Sequence, residues 1–139
     1  MDASTIEITP PPADMPYFTL NNGQKVPGIG TGTFTGTRHT MKAEPGTMYE
    51  TVKMFLRAGG RGIDAAANYL NEDEIGDAIE ECIAEGWVTR DDIYISSKLN
   101  NPYHRPEHVR PALEKTLLDL KVDQVDMYLI HWPTAFKYV

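Results

Sequence analysis

The sequence predicts an α/β fold: a partial (β/α)8 TIM barrel with an N-terminal hairpin and about four βα strands. Apolar segments alternate with helical ones, the order of successive βα units around a parallel sheet. Three of these segments end in a titratable residue, namely Asp64, Lys98 and His131. The intervals, 34 residues (64 to 98) and 33 (98 to 131), are close to the roughly 31 per unit of such a barrel. A doubly wound open sheet is the alternative, but it gives less reason for this recurrence.

Composition narrows the class of protein. The 139 residues make one domain, with 41% hydrophobic and 24% charged residues, as in ordinary globular proteins. A net charge of -7 argues against nucleic acid and anionic membranes as partners. The single cysteine, Cys82, excludes an internal disulfide or a cysteine-based zinc site. No apolar run approaches the roughly 20 residues of a membrane span, and we expect a cytoplasmic location.

The N-terminal region divides into a tail and the first strands. Residues 1–16 are proline-rich and are expected to form a flexible tail, which leaves 17–139 as the domain. Residues 17–26 read as a hairpin with Asn22-Gly23 at its turn. The glycine-rich segment 28–34 lacks the Gly-Lys-Ser/Thr ending of a phosphate loop, so a first barrel strand is the better interpretation. Residues 35–46 are then a loop.

Helical periodicity predicts three helices. Asn71 is expected to cap the second helix, and Glu72 to lie in its first turn near the positive end of the dipole. Pro106 suits the first turn of the third helix. His104 and His108, near that helix start, are expected to be solvated. The apolar positions that define the helices are Met48, Val52, Phe55 and Leu56; Ile75, Ile79, Cys82 and Ile83; and Val109, Leu113, Leu117 and Leu120.

Three motifs resemble those of the aldo-keto reductase family. Asp-Ala-Ala-Ala-Asn-Tyr-Leu-Asn-Glu at 64–72 is similar to the family's Asp-Thr-Ala-x-x-Tyr-x-Asn-Glu. Ser-Lys-Leu at 97–99 and Asp-Met-Tyr-Leu-Ile-His-Trp-Pro at 126–133 follow at the family's separations. The helical segment 106–120 also resembles the family's helix after the third strand. The resemblance covers about residues 17–136, and it implies the N-terminal half of such a barrel.

The resemblance implies an NADPH-dependent reduction of small aldehydes or ketones. We expect no metal site, because His104, His108 and His131 lack metal-ligand spacing. It implies a catalytic tetrad made of Asp64, Tyr69, Lys98 and His131. It places Thr33 beside the nicotinamide, so that the expected cofactor contacts are Thr33, Asp64, Lys98 and His131. The expected substrate pocket consists of Phe34, Tyr69, His131 and Trp132. Departures from the family pattern are Ala65 in place of threonine, and Phe34 and Asn100 where tryptophan is common.

Carbonyl reduction gives each of these residue types a role. A phenol is a weak acid, with a reference pKa of about 10, and a lysine cation nearby favours its ionised form. We therefore expect Tyr69 to be the general acid, Lys98 to adjust its acidity and Asp64 to orient Lys98. His131 would hydrogen-bond the carbonyl oxygen. Taken singly, each residue has a simpler interpretation: a surface ion pair for Asp64 and Lys98, an aromatic side chain at the edge of the core for Tyr69, and a buried histidine for His131.

Two further functions compete with the reductase. No segment of the sequence matches the family's second half, so we expect a fragment that lacks the C-terminal cofactor-binding half and binds NADPH poorly. Such a chain could be a truncated, non-catalytic interaction protein that self-associates through the open edges of its barrel. A weaker alternative is a regulatory barrel of the kind that accompanies ion channels.

Overall fold

The computed structural model describes residues 15–36 and 44–138. Most of the expected proline-rich tail, residues 1–14, lies outside the described residues, as do residues 37–43 of the expected loop. The strands are β1 Tyr17–Thr19, β2 Lys25–Pro27, β3 Gly30–Gly32, β4 Gly62–Asp64, β5 Tyr94–Leu99 and β6 Met127–Ile130. The helices are α1 Thr47–Arg57, α2 Glu72–Ala84 and α3 Pro106–Leu120.

The strands form a hairpin and one parallel sheet. β1 and β2 pair antiparallel, and the turn between them contains Gly23 at φ 85°, a left-handed conformation that favours glycine. The sheet has the order β3-β4-β5-β6, with each neighbouring pair parallel. The predicted hairpin and the predicted succession of βα units are therefore confirmed. Because the strands are parallel, their carboxyl ends lie along one rim of the sheet.

The core lies between the sheet and the helices. Side chains alternate between the two faces along each strand, so Ile63 of β4 and Ile95 of β5 turn towards the helices, where 2% and 0% of their surfaces are exposed. The three predicted helices are present and contribute buried residues to this core, but Ile83, expected on the apolar face of α2, is 38% exposed. The core residues are Met48, Val52, Leu56, Ile63, Ala65, Ile75, Ala78, Ile79, Cys82, Trp87, Val88, Ile93, Ile95 and Leu120.

Helices α2 and α3 approach closely at Gly76. A Cβ atom on Gly76 would lie 2.2 Å from the Asp119 carbonyl oxygen and 2.8 Å from the carbonyl carbon of Leu120. No side chain fits at that separation, because the neighbouring atoms belong to the backbone. The contact sets the spacing of the two helices that cover β5.

Two local expectations are wrong. Asn71 makes no side-chain capping bond to α2; its Nδ2 donates to the Thr33 carbonyl oxygen at 2.8 Å. This bond ties the start of α2 to the end of β3. His104 and His108 are partly buried rather than solvated, and the His108 ring stacks on Tyr138 with ring centroids 4.2 Å apart. The segment after β6 folds back over the start of α3, where its Tyr138 covers His108.

The described part of the chain contains neither a helix that could span a membrane nor a metal-binding cluster. No helix there combines the length and the apolar character needed to cross a membrane. Within residues 15–36 and 44–138, no three or more His, Cys, Asp or Glu side chains are grouped to hold a metal ion.

Candidate active site

Lys98 is the centre of the candidate site. Its Nζ donates to Asp64 Oδ1 at 2.8 Å, to the Ala65 carbonyl oxygen at 2.9 Å and to Tyr69 Oη at 3.4 Å. Only 13% of the Lys98 side chain is exposed, against 49% for Asp64. The cation is thus held inside the rim, while part of the carboxylate faces solvent.

The strand register brings these groups together. β4 ends at Asp64, which lies opposite Ser96 of β5, so Lys98 emerges one strand step further towards the rim. After β4 the chain passes through buried Ala65 and then a short 3-10 turn at Ala67–Tyr69. Leu70 follows in the left-handed conformation at φ 58°. This tight return brings the Tyr69 hydroxyl back over the Lys98 ammonium.

Ser96 holds the Asp64 carboxylate from the other side. Its Oγ donates to Asp64 Oδ1 at 2.7 Å, the same oxygen that accepts from Lys98. Ser96 is not among the site residues predicted from the sequence. Its position two residues before Lys98 was a usable signal, because alternate residues of a strand share one face.

His131 lies just beyond the end of β6. Its backbone N–H donates to the Leu99 carbonyl oxygen at 3.1 Å, which continues the pairing of β5 with β6. The imidazole meets the Tyr69 ring edge-on, with centroids 5.4 Å apart and an interplanar angle of 86°. Burial, assisted by the Lys98 cation, lowers the pKa of His131 below its usual range. The imidazole is therefore neutral at neutral pH, and its buried Nδ1 has no hydrogen-bond partner among the described residues.

Two aromatic side chains extend the site outward. Phe34 packs against Tyr69 with ring centroids 5.2 Å apart, and Trp132 stacks on His131 at 6.0 Å with an interplanar angle of 8°. Phe34 is 50% exposed and Trp132 is 59% exposed. The four residues expected to form the substrate pocket therefore make a continuous row of rings.

Thr33 lies behind this row at the end of β3. It is fully buried, and its N–H and Oγ1 both donate to the Asp64 carbonyl oxygen, at 3.1 and 3.0 Å. These bonds tether the β3 end to the strand that carries Asp64. The expected position of Thr33 beside a nicotinamide remains a prediction.

Amide side chains lie beside the aromatic row. Asn100 Nδ2 donates to Asn68 Oδ1 at 3.3 Å, and Asn101 Nδ2 donates to the Thr134 carbonyl oxygen at 2.6 Å. A cavity of about 360 Å³ is lined by Asn68, Asn100, Asn101, Trp132, Thr134 and Phe136. Asn100 thus gives this wall an amide where the family pattern commonly has an indole.

The arrangement supplies the groups that stabilise an oxyanion. A phenol and a neutral imidazole each offer one hydrogen-bond donor, and the two rings are in contact, with centroids 5.4 Å apart. A lysine cation next to the phenol stabilises the charge that remains when a proton is given away. A carbonyl oxygen placed between Tyr69 and His131 would receive both donors.

The comparisons with known proteins agree with this geometry. The family model described as the aldo/keto reductase family matches residues 28–138. The chain belongs to that family. The family prediction made from the three motifs is therefore confirmed.

Particular relatives share about half of their matched residues with the chain. The chain is 51% identical over 122 residues to aldo-keto reductase family 1 member A1 of Gallus gallus. The matched region covers 87% of this chain and 35% of that protein. The chain is 45% identical over 127 residues to the NAD(P)H-dependent D-xylose reductase of Candida tenuis, covering 91% and 37%. The chain thus spans about a third of the length of these curated relatives.

Solved structures match the fold closely. The aldose reductase of Schistosoma japonicum superposes with a TM-score of 0.82 at 42% identity, covering 90% of this chain and 39% of that one. A Bombyx mori aldo-keto reductase in complex with NADP gives 0.81 at 37% identity, covering 88% and 40%. The fold-class prediction is confirmed: the hairpin and the parallel βα units form part of a (β/α)8 barrel.

Proposed function

We propose that the protein containing this chain is an NADPH-dependent reductase that converts small aldehydes and ketones into alcohols. One observation carries the proposal. Lys98 Nζ reaches Asp64 at 2.8 Å and the Tyr69 hydroxyl at 3.4 Å, while the His131 ring borders the same hydroxyl-bearing ring. An ordinary surface ion pair would not need a lysine whose side chain is only 13% exposed, with a phenol and an imidazole packed beside it.

The residues divide the work of proton transfer. Tyr69 gives its phenolic proton to the carbonyl oxygen as that oxygen becomes an alkoxide. Lys98 stabilises the phenolate that remains, and Asp64, held by Ser96, fixes the ammonium in position. His131 donates its single N–H to the same carbonyl oxygen, since its lowered pKa keeps the imidazole neutral.

The residues present fit a nicotinamide cofactor. All hydrogen bonds that the described residues make to the Asp64 carboxylate fall on Oδ1, which leaves Oδ2 of this half-exposed side chain to accept from a ribose hydroxyl. We assign Asp64, Lys98 and His131, with Thr33 behind them, to the contacts of the nicotinamide end. The cofactor, when bound, supplies the hydride. The names of the relatives support this assignment, since one is NAD(P)H-dependent and another was solved with NADP.

A spectrophotometric assay tests the proposal. The longest natural protein that contains this sequence is mixed with NADPH or NADH and a panel of aldehydes and ketones. Loss of the absorbance of the reduced nicotinamide is then followed. We expect carbonyl-dependent oxidation of NADPH, faster than that of NADH. Cofactor titration without any turnover on the panel would overturn the proposal.

A second candidate is a non-catalytic interaction protein that pairs through its sheet edges. Within the described residues β3 and β6 are the edge strands, and large apolar side chains are exposed near them. Ile130 is 65% exposed and Phe136 is 61% exposed. Open strand edges and exposed apolar side chains favour association with another chain.

Two measurements separate the candidates. In fluorescence titrations the 139-residue chain should bind NADPH weakly if it acts as an interaction protein, and micromolar binding would contradict that function. Analytical ultracentrifugation should then show a dimer that Ile130→Lys dissociates. A monomer at all concentrations would exclude self-association through this edge.

A further inference from the structure

Glu72 is a buried carboxylate that the proposed chemistry does not use. It is the first residue of α2, and only 4% of its surface is exposed. Ser97 Oγ donates to its Oε1 at 2.5 Å, and Thr116 Oγ1 donates to its Oε2 at 3.1 Å. Burial raises the pKa of Glu72 above its usual range. A helix N-terminus can be filled by an exposed acid, so its dipole alone does not explain this burial.

Glu72 and its partner Ser97 are close in sequence to two residues of the candidate active site. Glu72 follows Tyr69 by three residues, and Ser97 is the immediate neighbour of Lys98 on β5. The same two segments therefore meet twice. Tyr69 and Lys98 meet on the inner face of the sheet, and Glu72 and Ser97 meet on the outer face, which the helices cover.

The precise geometry of the Tyr69–Lys98 contact on the inner face depends on the Glu72–Ser97 contact on the outer face. The Lys98 Nζ to Tyr69 Oη distance is 3.4 Å, already near the limit of a hydrogen bond. Tyr69 lies in a short turn rather than in a strand, so the sheet register does not fix its distance from β5. The Glu72–Ser97 bond joins the start of α2, three residues after Tyr69, to the residue next to Lys98.

We propose that Glu72 is a positioning residue that holds the Tyr69 turn against β5 through Ser97 and thereby sets the Tyr69–Lys98 contact. Its catalytic consequence rests on the proposed reductase function; the geometric claim does not. Thr116, on α3, is the second partner of Glu72 but adjoins neither Tyr69 nor Lys98. Removal of either hydroxyl should affect stability, but only removal of the Ser97 hydroxyl should change the Tyr69–Lys98 contact.

Matched hydroxyl deletions test the claim. Ser97→Ala and Thr116→Val each leave one Glu72 oxygen without its donor, so both should destabilise the fold by similar amounts. The readout is the 1H–15N signal of the Lys98 ammonium in the 139-residue chain, assigned by its loss in Lys98→Met. We expect Ser97→Ala to shift the signal or broaden it beyond detection, and Thr116→Val to leave it in place.

The carboxylate itself gives a second comparison. Glu72→Ala should act like Ser97→Ala, whereas Glu72→Gln keeps an acceptor for the Ser97 hydroxyl and should restore the native signal. If Ser97→Ala and Glu72→Ala fold and leave the Lys98 signal unchanged, the proposal is wrong. It is also wrong if Thr116→Val alters the signal as much as Ser97→Ala does.

Steady-state kinetics extend the test to the longest natural protein that contains this sequence. A displaced Tyr69–Lys98 pair should lower kcat by about 10-fold to 10²-fold with little change in KM. The Lys98 signal tests positioning even if the protein reduces no carbonyl compound, so the two proposals fail separately. An altered signal with unchanged kcat would contradict the catalytic part of the inference alone.

Discussion

Replacing Lys98 with methionine separates the role of the cation in the site from its role in the fold. Methionine keeps most of the length of the side chain and removes the charge. The change deletes the bonds from Nζ to Asp64, to the Ala65 carbonyl and to Tyr69. It leaves the Ser96–Asp64 bond in place.

The structure sets the size of the stability change. The Asp64 side chain is 49% exposed, so water replaces the lost donor, as at surface ion pairs worth up to about 1 kcal/mol. The Ala65 carbonyl is buried and loses a charged donor, which adds about 1 kcal/mol or more. The sum of about 2 kcal/mol corresponds to a fall of about 1 M in the urea midpoint for a chain of this size.

The same substitution should change the titration of a second residue. The Lys98 cation contributes to the lowered pKa of His131, after burial, whereas Asp64 acts in the opposite sense. Lys98→Met should therefore raise the pKa of His131. Histidine 1H–13C signals followed against pH measure it in the 139-residue chain, beside urea unfolding followed by circular dichroism.

Lys121→Met is the control for charge removal. Lys121 also bonds two carboxylates, Asp77 and Glu80, but it lies on the surface at the end of α3. The Lys121→Met substitution should leave the His131 titration unchanged. An unchanged His131 titration in Lys98→Met, or an equal shift in Lys121→Met, would refute the geometry assigned to the site.

Three predictions concern the fold and its buried groups. The raised pKa of Glu72 means that its contribution to stability is complete below about 4.5 and is lost as pH rises through its folded-state pKa. Glu72→Gln cannot ionise, so its stability relative to the parent should increase as pH rises from about 4.5. Gly76→Ala should lower the free energy of unfolding by about 3 kcal/mol, because the new Cβ would lie 2.2 Å from the Asp119 carbonyl oxygen. Burial raises the pKa of Cys82 from 9.0 to about 11, so native alkylation at neutral pH should be at least about 10²-fold slower than in urea.

Each of these predictions has a direct check. Urea unfolding at several pH values measures the first, and a constant difference between Glu72→Gln and the parent would contradict it. Asp73→Ala, on the exposed side of α2, is the control for Gly76→Ala and should change stability by less than about 1 kcal/mol. Equal effects of the two alanines would show that the α2–α3 contact is looser than described. Cys82 alkylation is timed by mass spectrometry, and equal rates in buffer and urea would refute its burial.

The order of elements and the residues at the strand ends could be predicted from sequence. Apolar periodicity marks the helices, and parallel strands bring their final residues to one rim. For this reason Asp64, Lys98 and His131 could be placed at the same rim before any coordinates.

The second layer of contacts could not be predicted. Glu72 is typical of a solvated helix start, and its partners Ser97 and Thr116 lie 25 and 44 residues away in the chain. Asn71 is a residue type that commonly caps a helix through its side-chain oxygen, but its Nδ2 donates to the distant Thr33 carbonyl and its Oδ1 makes no capping bond. Local propensity contains no information about which distant donor or acceptor will arrive beside a polar group.

Proton donation by Tyr69 is the claim on which the proposed reductase function depends most directly. Tyr69→Phe removes one oxygen and keeps the ring that contacts Phe34 and His131. Tyr103→Phe is the matched control, because its ring packs on Tyr138 away from Lys98. In the longest natural protein that contains this sequence, turnover with NADPH should fall at least about 10²-fold in Tyr69→Phe and stay near the parent value in Tyr103→Phe. Parent-like turnover in Tyr69→Phe would contradict the account.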